Sequence, residues 1–300
     1  MRLRNATYGD TEAVAAVIRA ADEADGAAAD MAPEDVLAYW REIDPAKDVL
    51  VVEDDRGALV GYVDVTPSPI DVHIDAYVHP EARGRGVGLR LLRGAEEIAA
   101  RQVEDALPRR ATIIHRNADG KRLLEREGYR YVRSFYRMRI VLDRRPEEPE
   151  WPEGIAVRGY VPGEDDRVVH ETLTEAFADH WEPHQRSFDD FVRLQAQDAQ
   201  LVAAASYVAF ADEEPAGAVL SKQRYGTGWI QSLGVRRRWR RAGLGRALLL
   251  YAFNTFYELG ERSIGLGVDA ESPTGAPRLY ERAGMHVEVQ YDTYEKRLAR

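Results

Sequence analysis

A glycine turn that occurs twice constrains this chain more than anything else in it. "ARGRGVGLRLL" (Ala82 to Leu92) and "RRAGLGRALLL" (Arg240 to Leu250) each put bare backbone directly ahead of an apolar-rich segment. The parallel extends outward. "AYVHPEARGRGVGLRLL" and "SLGVRRRWRRAGLGRALL" align without a gap, Val78 on Val235 and Gly88 on Gly245. Downstream, "LLEREGY" (Leu123 to Tyr129) matches "LYERAGM" (Leu279 to Met285) with a shift of one residue, and upstream "ALVGYVDV" parallels "EPAGAVLS". One architecture used twice, at a period too long for a solenoid, implies two domains. At 300 residues the chain is long enough for two cores of ordinary size. The join is legible in "DRRPEEPEWPEG" (Asp143 to Gly154), where prolines and acids crowd out any strand or helix interior. The expected division is a first domain over 1–142, a linker over 143–153 and a second domain over 154–300.

Within each half the pattern mixes α and β. "RLRNAT" and "GIAVRGY" read as opening strands, each leading to an acidic helix start. Apolar positions then recur at helical spacing: Val14, Val17, Ile18 and Ala21 in the first half, Val169, Leu173 and Phe177 in the second. "VLVVED" and "SYVAFAD" have strand character, and "DVHIDAYV" alternates Asp71, His73 and Asp75 against Val72, Ile74 and Ala76 as a half-buried strand should. Helices follow the glycines, and each half closes with a short helix and an aromatic-rich strand, "YRYVRSFYRMRIVL" or "HVEVQYDTYEKRL".

The order strand, arginine-rich glycine turn, helix has a chemical meaning. The first N–H groups of a helix have no internal partner, and the helix dipole adds about half a positive charge there. Glycine lets an anion sit directly on that backbone, so the turn is a phosphate cradle. It is not a P-loop, which needs Gly-Lys-Ser/Thr, nor a dinucleotide fingerprint, which needs G-x-G-x-x-G in the first βαβ unit. The spacing here is R-x-x-G-x-G, late in each half.

That spacing resembles the acyl-CoA-binding motif of the GNAT superfamily of N-acyltransferases, Q/R-x-x-G-x-G/A. Arg83-Gly84-Arg85-Gly86-Val87-Gly88 fits it, as does Arg240-Arg241-Ala242-Gly243-Leu244-Gly245, and "LYERAGM" looks like the family's second signature. The resemblance covers nearly the whole chain. It implies an α/β (α+β) fold of two GNAT domains in tandem, each a mixed, mostly antiparallel sheet flanked by helices. It further implies acetyl-CoA as cosubstrate and direct acetyl transfer to a primary amine of a small molecule or peptide. By the same resemblance Arg240, Arg241, Ala242, Gly243 and Gly245 hold the pyrophosphate, while Leu233 and Val235 grip the pantetheine. Val78, Arg83, Gly84, Gly86 and Gly88 are their counterparts in the first half. Asn117 and Ser272 stand near the place where the family often carries an asparagine that contacts the cofactor.

In the family the tyrosine of the second signature protonates the departing thiolate, and a phenol of pKa about 10 suits a thiol of about 8.5. Here it is Tyr280; the first half has Leu124, which has no proton to give. Catalysis is therefore expected in the second domain, with the first a degenerate copy. Bases are scarcer. "GWIQSLGV", entering the second cradle, has Trp229 and Gln231 but no carboxylate, whereas the first half has Asp75 and His73 at that level. Glu271, with Asp269 beside it, is the candidate base, and a water relay is the alternative. Asp179, His180 and Trp181 fall where the family lines its acceptor pocket. In length and order the chain resembles the mycothiol synthases of this superfamily, whose pattern places a carboxylate on the strand that here lacks one. A non-catalytic acyl-CoA sensor remains the alternative function.

Composition excludes other chemistries. With no cysteine there are no disulfides, thiolate metal sites or cysteine nucleophiles. A net charge of −10 argues against general nucleic-acid binding and tilts toward cationic amines. The run "RRRWRR" (Arg236 to Arg241) is read as countercharge for the cofactor's phosphates. His180 and His184 are four apart, but Pro183 spoils helical geometry between them and no third ligand is evident, so no metal is expected. There is no signal-peptide pattern, and Leu201 to Ala211, the longest weakly polar window, is too short to span a bilayer. The expectation is a soluble cytoplasmic protein, with no membrane or nucleic-acid partner.

Overall fold

The opening strand β1 (Arg2–Asn5) leads into α1 (Thr11–Ala24), whose buried residues Val14, Ala15, Val17, Ile18 and Ala21 are the stripe set by the apolar spacing. The computed structural model describes residues 1–41, 43–68, 71–102, 108–181, 187–197, 200–224 and 226–297. α2 (Pro33–Trp40) starts on a proline in its first turn and buries Val36 and Trp40. The single turn α3 (Pro45–Asp48) is capped by Asp44, which accepts from the Ala46 N–H at 3.0 Å. Then follow β2 (Val49–Glu53), β3 (Leu59–Pro67), β4 (Val72–Val78), the long helix α4 (Val87–Gln102), β5 (Arg109–Ile114), α5 (Ala118–Arg126) and β6 (Arg130–Val141).

The second round repeats the order. It runs β7 (Ile155–Gly159), α6 (Asp166–Phe177), α7 (Phe188–Gln197), β8 (Tyr207–Ala211), β9 (Glu214–Arg224), β10 (Thr227–Val235), α8 (Leu244–Glu258), β11 (Ser263–Asp269), α9 (Ala276–Arg282) and β12 (His286–Lys296). α8 is buried almost all round, through Leu244, Ala247, Leu248, Leu249, Leu250, Ala252, Phe253 and Phe256. No helix among the described residues is long and apolar enough to cross a membrane.

The packed units do not follow the division by repeat. One comprises Met1–Phe135 with Val289–Arg300, the other Tyr136–Glu288. In the first, the strand order is β1-β2-β3-β4-β5-β12. β12 pairs antiparallel with β5, Tyr291 opposite Ile114 through Lys296 opposite Arg109, and its Tyr294 lies in the first core with Val63, Leu91 and Tyr129. In the second the order is β6-β11-β10-β9-β8-β7, and Met138 of β6 is fully buried in the core built on α8. Each sheet is thus completed by the closing strand of the other repeat. The stretch 143–153 carries no strand or helix and belongs to the second unit. Asn254 of α8 donates to the Glu147 carbonyl at 2.8 Å, and Trp151 meets Tyr251 edge-on at 5.5 Å.

Candidate active site

In the second unit β10 is antiparallel to β9 along its length, with a register shift between Ile230 and Ser232. Its other neighbour, β11, runs parallel and pairs only from Gly228 opposite Ile264 to Ile230 opposite Leu266. Beyond that point the two strands part. Among the described residues, the β10 edge from Gln231 to Val235, which includes Leu233, keeps no ladder on the β11 side. An extended amide-bearing ligand can occupy a gap of this kind as a neighbouring strand would.

β10 runs into a short 3-10 turn (Arg237–Trp239) and then the cradle. Gly243 sits at φ +90°, a conformation glycine adopts without penalty, and no side chain caps the helix that follows. A Cβ on Gly243 would meet nothing within 4 Å, so the space above the turn is open to an anion. Arg241 is left-handed too, at φ +67°, where a non-glycine residue costs about 1–2 kcal/mol. Arg240 fastens the turn from within, donating to the Val235 carbonyl (3.1 Å), the Ala176 carbonyl (2.8 Å) and Asp179 (2.8 Å). Its neighbours are likewise engaged: Arg236 with Glu175, Arg237 with Asp179, Arg238 with Glu214. Ala242 lies over a cavity of about 200 Å³ shared with Pro152, Ile155 and Trp239.

The second signature reaches the cradle through packing. A Cβ on Gly245 would lie 3.7 Å from Val235 and 3.9 Å from Leu279, so the strand end, the first turn of α8 and α9 converge there. Tyr280, next along α9, is 7% exposed in the core of this unit, and burial pushes its phenol up to about 12. The hydroxyl therefore stays protonated at any working pH, as a proton donor must.

Other expected residues stand differently. Asp179 is engaged by Arg237 and Arg240, and the Arg237 contact foremost holds its carboxyl below the usual range; it braces the cradle. His180 rests edge-on against Phe177 at 4.7 Å, Trp181 is half-buried, and His184 lies outside the described residues. Glu271 is exposed, its N–H donating to Asp269 at 2.9 Å. Ser272 shares a hydrogen bond with Thr274 at 3.0 Å and does not cap α9, whose cap is Gly275. Among the described residues no group of three His, Asp or Glu side chains could hold a metal.

The first unit has a cradle of the same make. Gly84 and Gly86 are left-handed, at φ +73° and +80°, with open space above both, and Gly88 faces Leu123 and Val78 as Gly245 faces Leu279 and Val235. β4 pairs with β5 only from Val72 to Ile74 and then leaves it. Three differences stand out. Leu124 holds the place of Tyr280, confirmed by the matching bonds from the Tyr129 N–H to its carbonyl and from the Met285 N–H to that of Tyr280. The β3–β4 register is unbroken. Arg83 grips the buried Asp25 with two bonds of 2.7 and 2.9 Å, and Asn117 donates to the same carboxylate at 2.9 Å while capping α5 through Gly120. Asp25, and a group of polar side chains around Asp64 on β3, carry no sequence motif. The alternation of "VGYVDVTP" set against that of "DVHIDAYV" was the available signal for Asp64.

Twin sheets with parted parallel strands and a helix-mouth phosphate turn define an acyl-CoA N-acyltransferase architecture. Residues 169–285 match the acetyltransferase (GNAT) family, and residues 45–131 match an acetyltransferase (GNAT) domain. The chain is 32% identical to a mycothiol acetyltransferase of Thermobispora bispora, over 95% of this chain and 96% of that one. A GCN5-related N-acetyltransferase of Sphaerobacter thermophilus superposes with a TM-score of 0.89 at 36% identity, covering 98% of this chain and 95% of that one. A tandem GNAT protein of the clavulanic acid biosynthesis pathway shares the fold, with a TM-score of 0.75 at 17% identity and 98% of both chains covered. The chain belongs to the GNAT acetyltransferases, with two GNAT domains in tandem, and is an N-acetyltransferase.

Proposed function

We propose that the second unit is the working one, and that it transfers an acetyl group from acetyl-CoA directly to a primary amine of a small acceptor. The observation that carries this is Tyr280, a buried phenol on the helix beside the cradle, where the first unit has Leu124. Acetyl-CoA supplies an activated acyl group. Residues Arg240 to Gly245 fit its phosphates, because the turn is left-handed, uncapped and open above Gly243. The free edge of β10 around Leu233 and Val235 fits its amide-bearing arm. Tyr280 gives its proton to the departing sulfur.

β10 and β11 are parallel, so the turn after β11 lies at the same end as the gap, and α9 with Tyr280 follows that turn. Glu271 on this turn is the carboxylate we assign to taking the ammonium proton, through water. In the first unit, Arg83, Asn117 and the glycines 84, 86 and 88 are read as an inherited cradle without an acid. His180 and Trp181 follow α6 at the cradle's flank and remain our assigned acceptor contacts; Asp179 is assigned to the cradle.

The acceptor to test first is the amine that becomes mycothiol, on the strength of the relatives' name. β10 offers Gln231 and Ser232 and no carboxylate, so other small amines belong in the same panel. Amine-dependent release of free thiol from acetyl-CoA is the assay. Turnover that collapses in Tyr280→Phe supports the reading. Tight acetyl-CoA binding with no turnover across the panel overturns it in favour of a sensor.

A further inference from the structure

On the first unit's sheet, Asp64 of β3 and Asp75 of β4 stand directly opposite one another across an antiparallel pair. Asp64 is 3% exposed; one of its oxygens accepts from Tyr39 at 2.8 Å and the other from Tyr62 at 2.7 Å. Both contacts lead to α2. Tyr39 belongs to that helix, and its neighbour Trp40 donates to the Tyr62 hydroxyl at 3.4 Å. One carboxyl is thus the hub through which α2 is hydrogen-bonded to the sheet.

The charges around this hub offset it only in part: protonated His73 of β4 lowers both Asp64 and Asp75, against the burial that raises them. Outside the β3–β4 ladder, the Asp75 side chain makes no hydrogen bond or ion pair among the described residues, and the charge that acts on it is that of His73. On β4, His73 leans on Asp71 at 3.4 Å, and Asp71 is taken by Arg110 of β5 at 2.6 Å, which also serves Glu295 of β12. Tyr77 of β4 stacks on Tyr62, and the charged or titratable groups near it are Asp22 of α1 and Tyr291 of β12. Thr66 of β3 contributes only its hydroxyl, to Tyr39. Two carboxyls opposite one another, one buried and one partly exposed, with no lysine or arginine joined to them, disfavour the doubly ionised state.

We propose that the opposed pair Asp64 and Asp75 retains one proton while α2 is closed on the sheet of the first unit, and that losing it leaves two facing negative charges under α2, so that raising the pH loosens α2. Burial foremost, with the charge of Asp75, pushes Asp64 up to about 7, and burial raises Asp75 as well. The sign follows from the ordinary carboxylate value. With α2 open to water the pair releases its protons near pH 4, whereas the closed form keeps one until about 7. Closing is therefore favoured at low pH, and the advantage shrinks by up to about tenfold per unit between those values. His73, raised by Asp71, acts in the same direction, so the readout has to be specific for a carboxyl.

The test compares the full chain at about pH 5.5 and about pH 8, inside and above the linkage window. Hydrogen exchange corrected for intrinsic rate is expected to show α2 opening at least about tenfold more at the higher pH, while α6 of the second unit changes less than about threefold. Infrared difference spectra are expected to show a protonated carboxyl band at the lower pH that is lost at the higher one. That band should be missing from Asp64→Asn and kept in His73→Gln. Asp75→Asn, on a partly exposed side chain with no partner to lose, should shrink the α2 shift even where Asp64→Asn folds poorly. The absence of that carboxyl band in the wild type, or an α2 shift that persists undiminished in Asp75→Asn, overturns the proposal.

Discussion

Set side by side, the two units have the same strand order and the same glycine turn, yet their sheets face their first helices differently. At corresponding register, the first unit pairs Tyr62 with Tyr77 and Asp64 with Asp75. The second pairs Ala218 with Gly234 and Leu220 with Ser232. A Cβ on Gly234 would lie 2.8 Å from Ala176 and 2.9 Å from Leu173, so α6 comes down directly on bare strand there. In the first unit two stacked tyrosines and two carboxylates fill that layer. The cradle follows directly on that end of the strand, in backbone geometry that depends on glycine φ angles and a free helix terminus. It tolerates wholesale change in the neighbouring layer. On the function proposed above the chemistry does not, because a single exchange of tyrosine for leucine removes the assigned proton donor.

The comparison breaks most visibly at Tyr280. Tyr280→Phe should lower kcat by about 10²–10⁴ while the affinity for acetyl-CoA stays within about twofold, since the phenol acts only as acid. Sustained turnover in that variant would move catalysis elsewhere. Next come the glycines. Gly243→Val forces a β-branched residue to φ +90° and should weaken acetyl-CoA binding at least about tenfold by calorimetry, with about 1–2 kcal/mol lost in denaturant melts. Gly86→Val should show the same stability loss with turnover unchanged.

Asp25→Ala strands Arg83 and Asn117. It should destabilise the first unit by about 2 kcal/mol, below the 3–5 of a fully buried pair because Arg83 is a quarter exposed, and leave kcat alone. A pH–rate profile sharpens the acid assignment. With the phenol raised to about 12, the rate should climb as the acceptor amine deprotonates and then stay flat to about pH 10, with no alkaline fall owed to Tyr280. Ser272→Ala, at a side chain bonded only to Thr274, should change affinity and stability by less than about 0.5 kcal/mol.

Local features were legible in the sequence. The spacing Arg240 to Gly245 lies between a strand and a helix, as its glycines require, and α1 buries the stripe that its spacing marks. The contrast between Tyr280 and Leu124 could be read letter against letter. What the sequence hid was pairing at long range. "YRYVRSFYRMRIVL" and "HVEVQYDTYEKRL" both read as strands, but alternation says nothing about which sheet a strand joins, and each joins the sheet of the other repeat. The ion pairs were hidden for the same reason. Asp179 in "ADHWEPH" looks like a loop acid facing a pocket, and only the folded chain brings Arg237 and Arg240 onto it. Asp64 and Asp75 belong to separate strands, and their opposition follows from register alone.

The exchange of closing strands bears on how the protein is made. A ribosome delivers β1 to β5 long before β12, yet the first sheet has no outer neighbour for β5 until β12 is released. The nascent first domain must therefore wait with an open edge, unfinished, while everything from β6 to α9 is synthesised. A gene cut at the proline-rich join would divide the message between the repeats and deprive each product of its last strand.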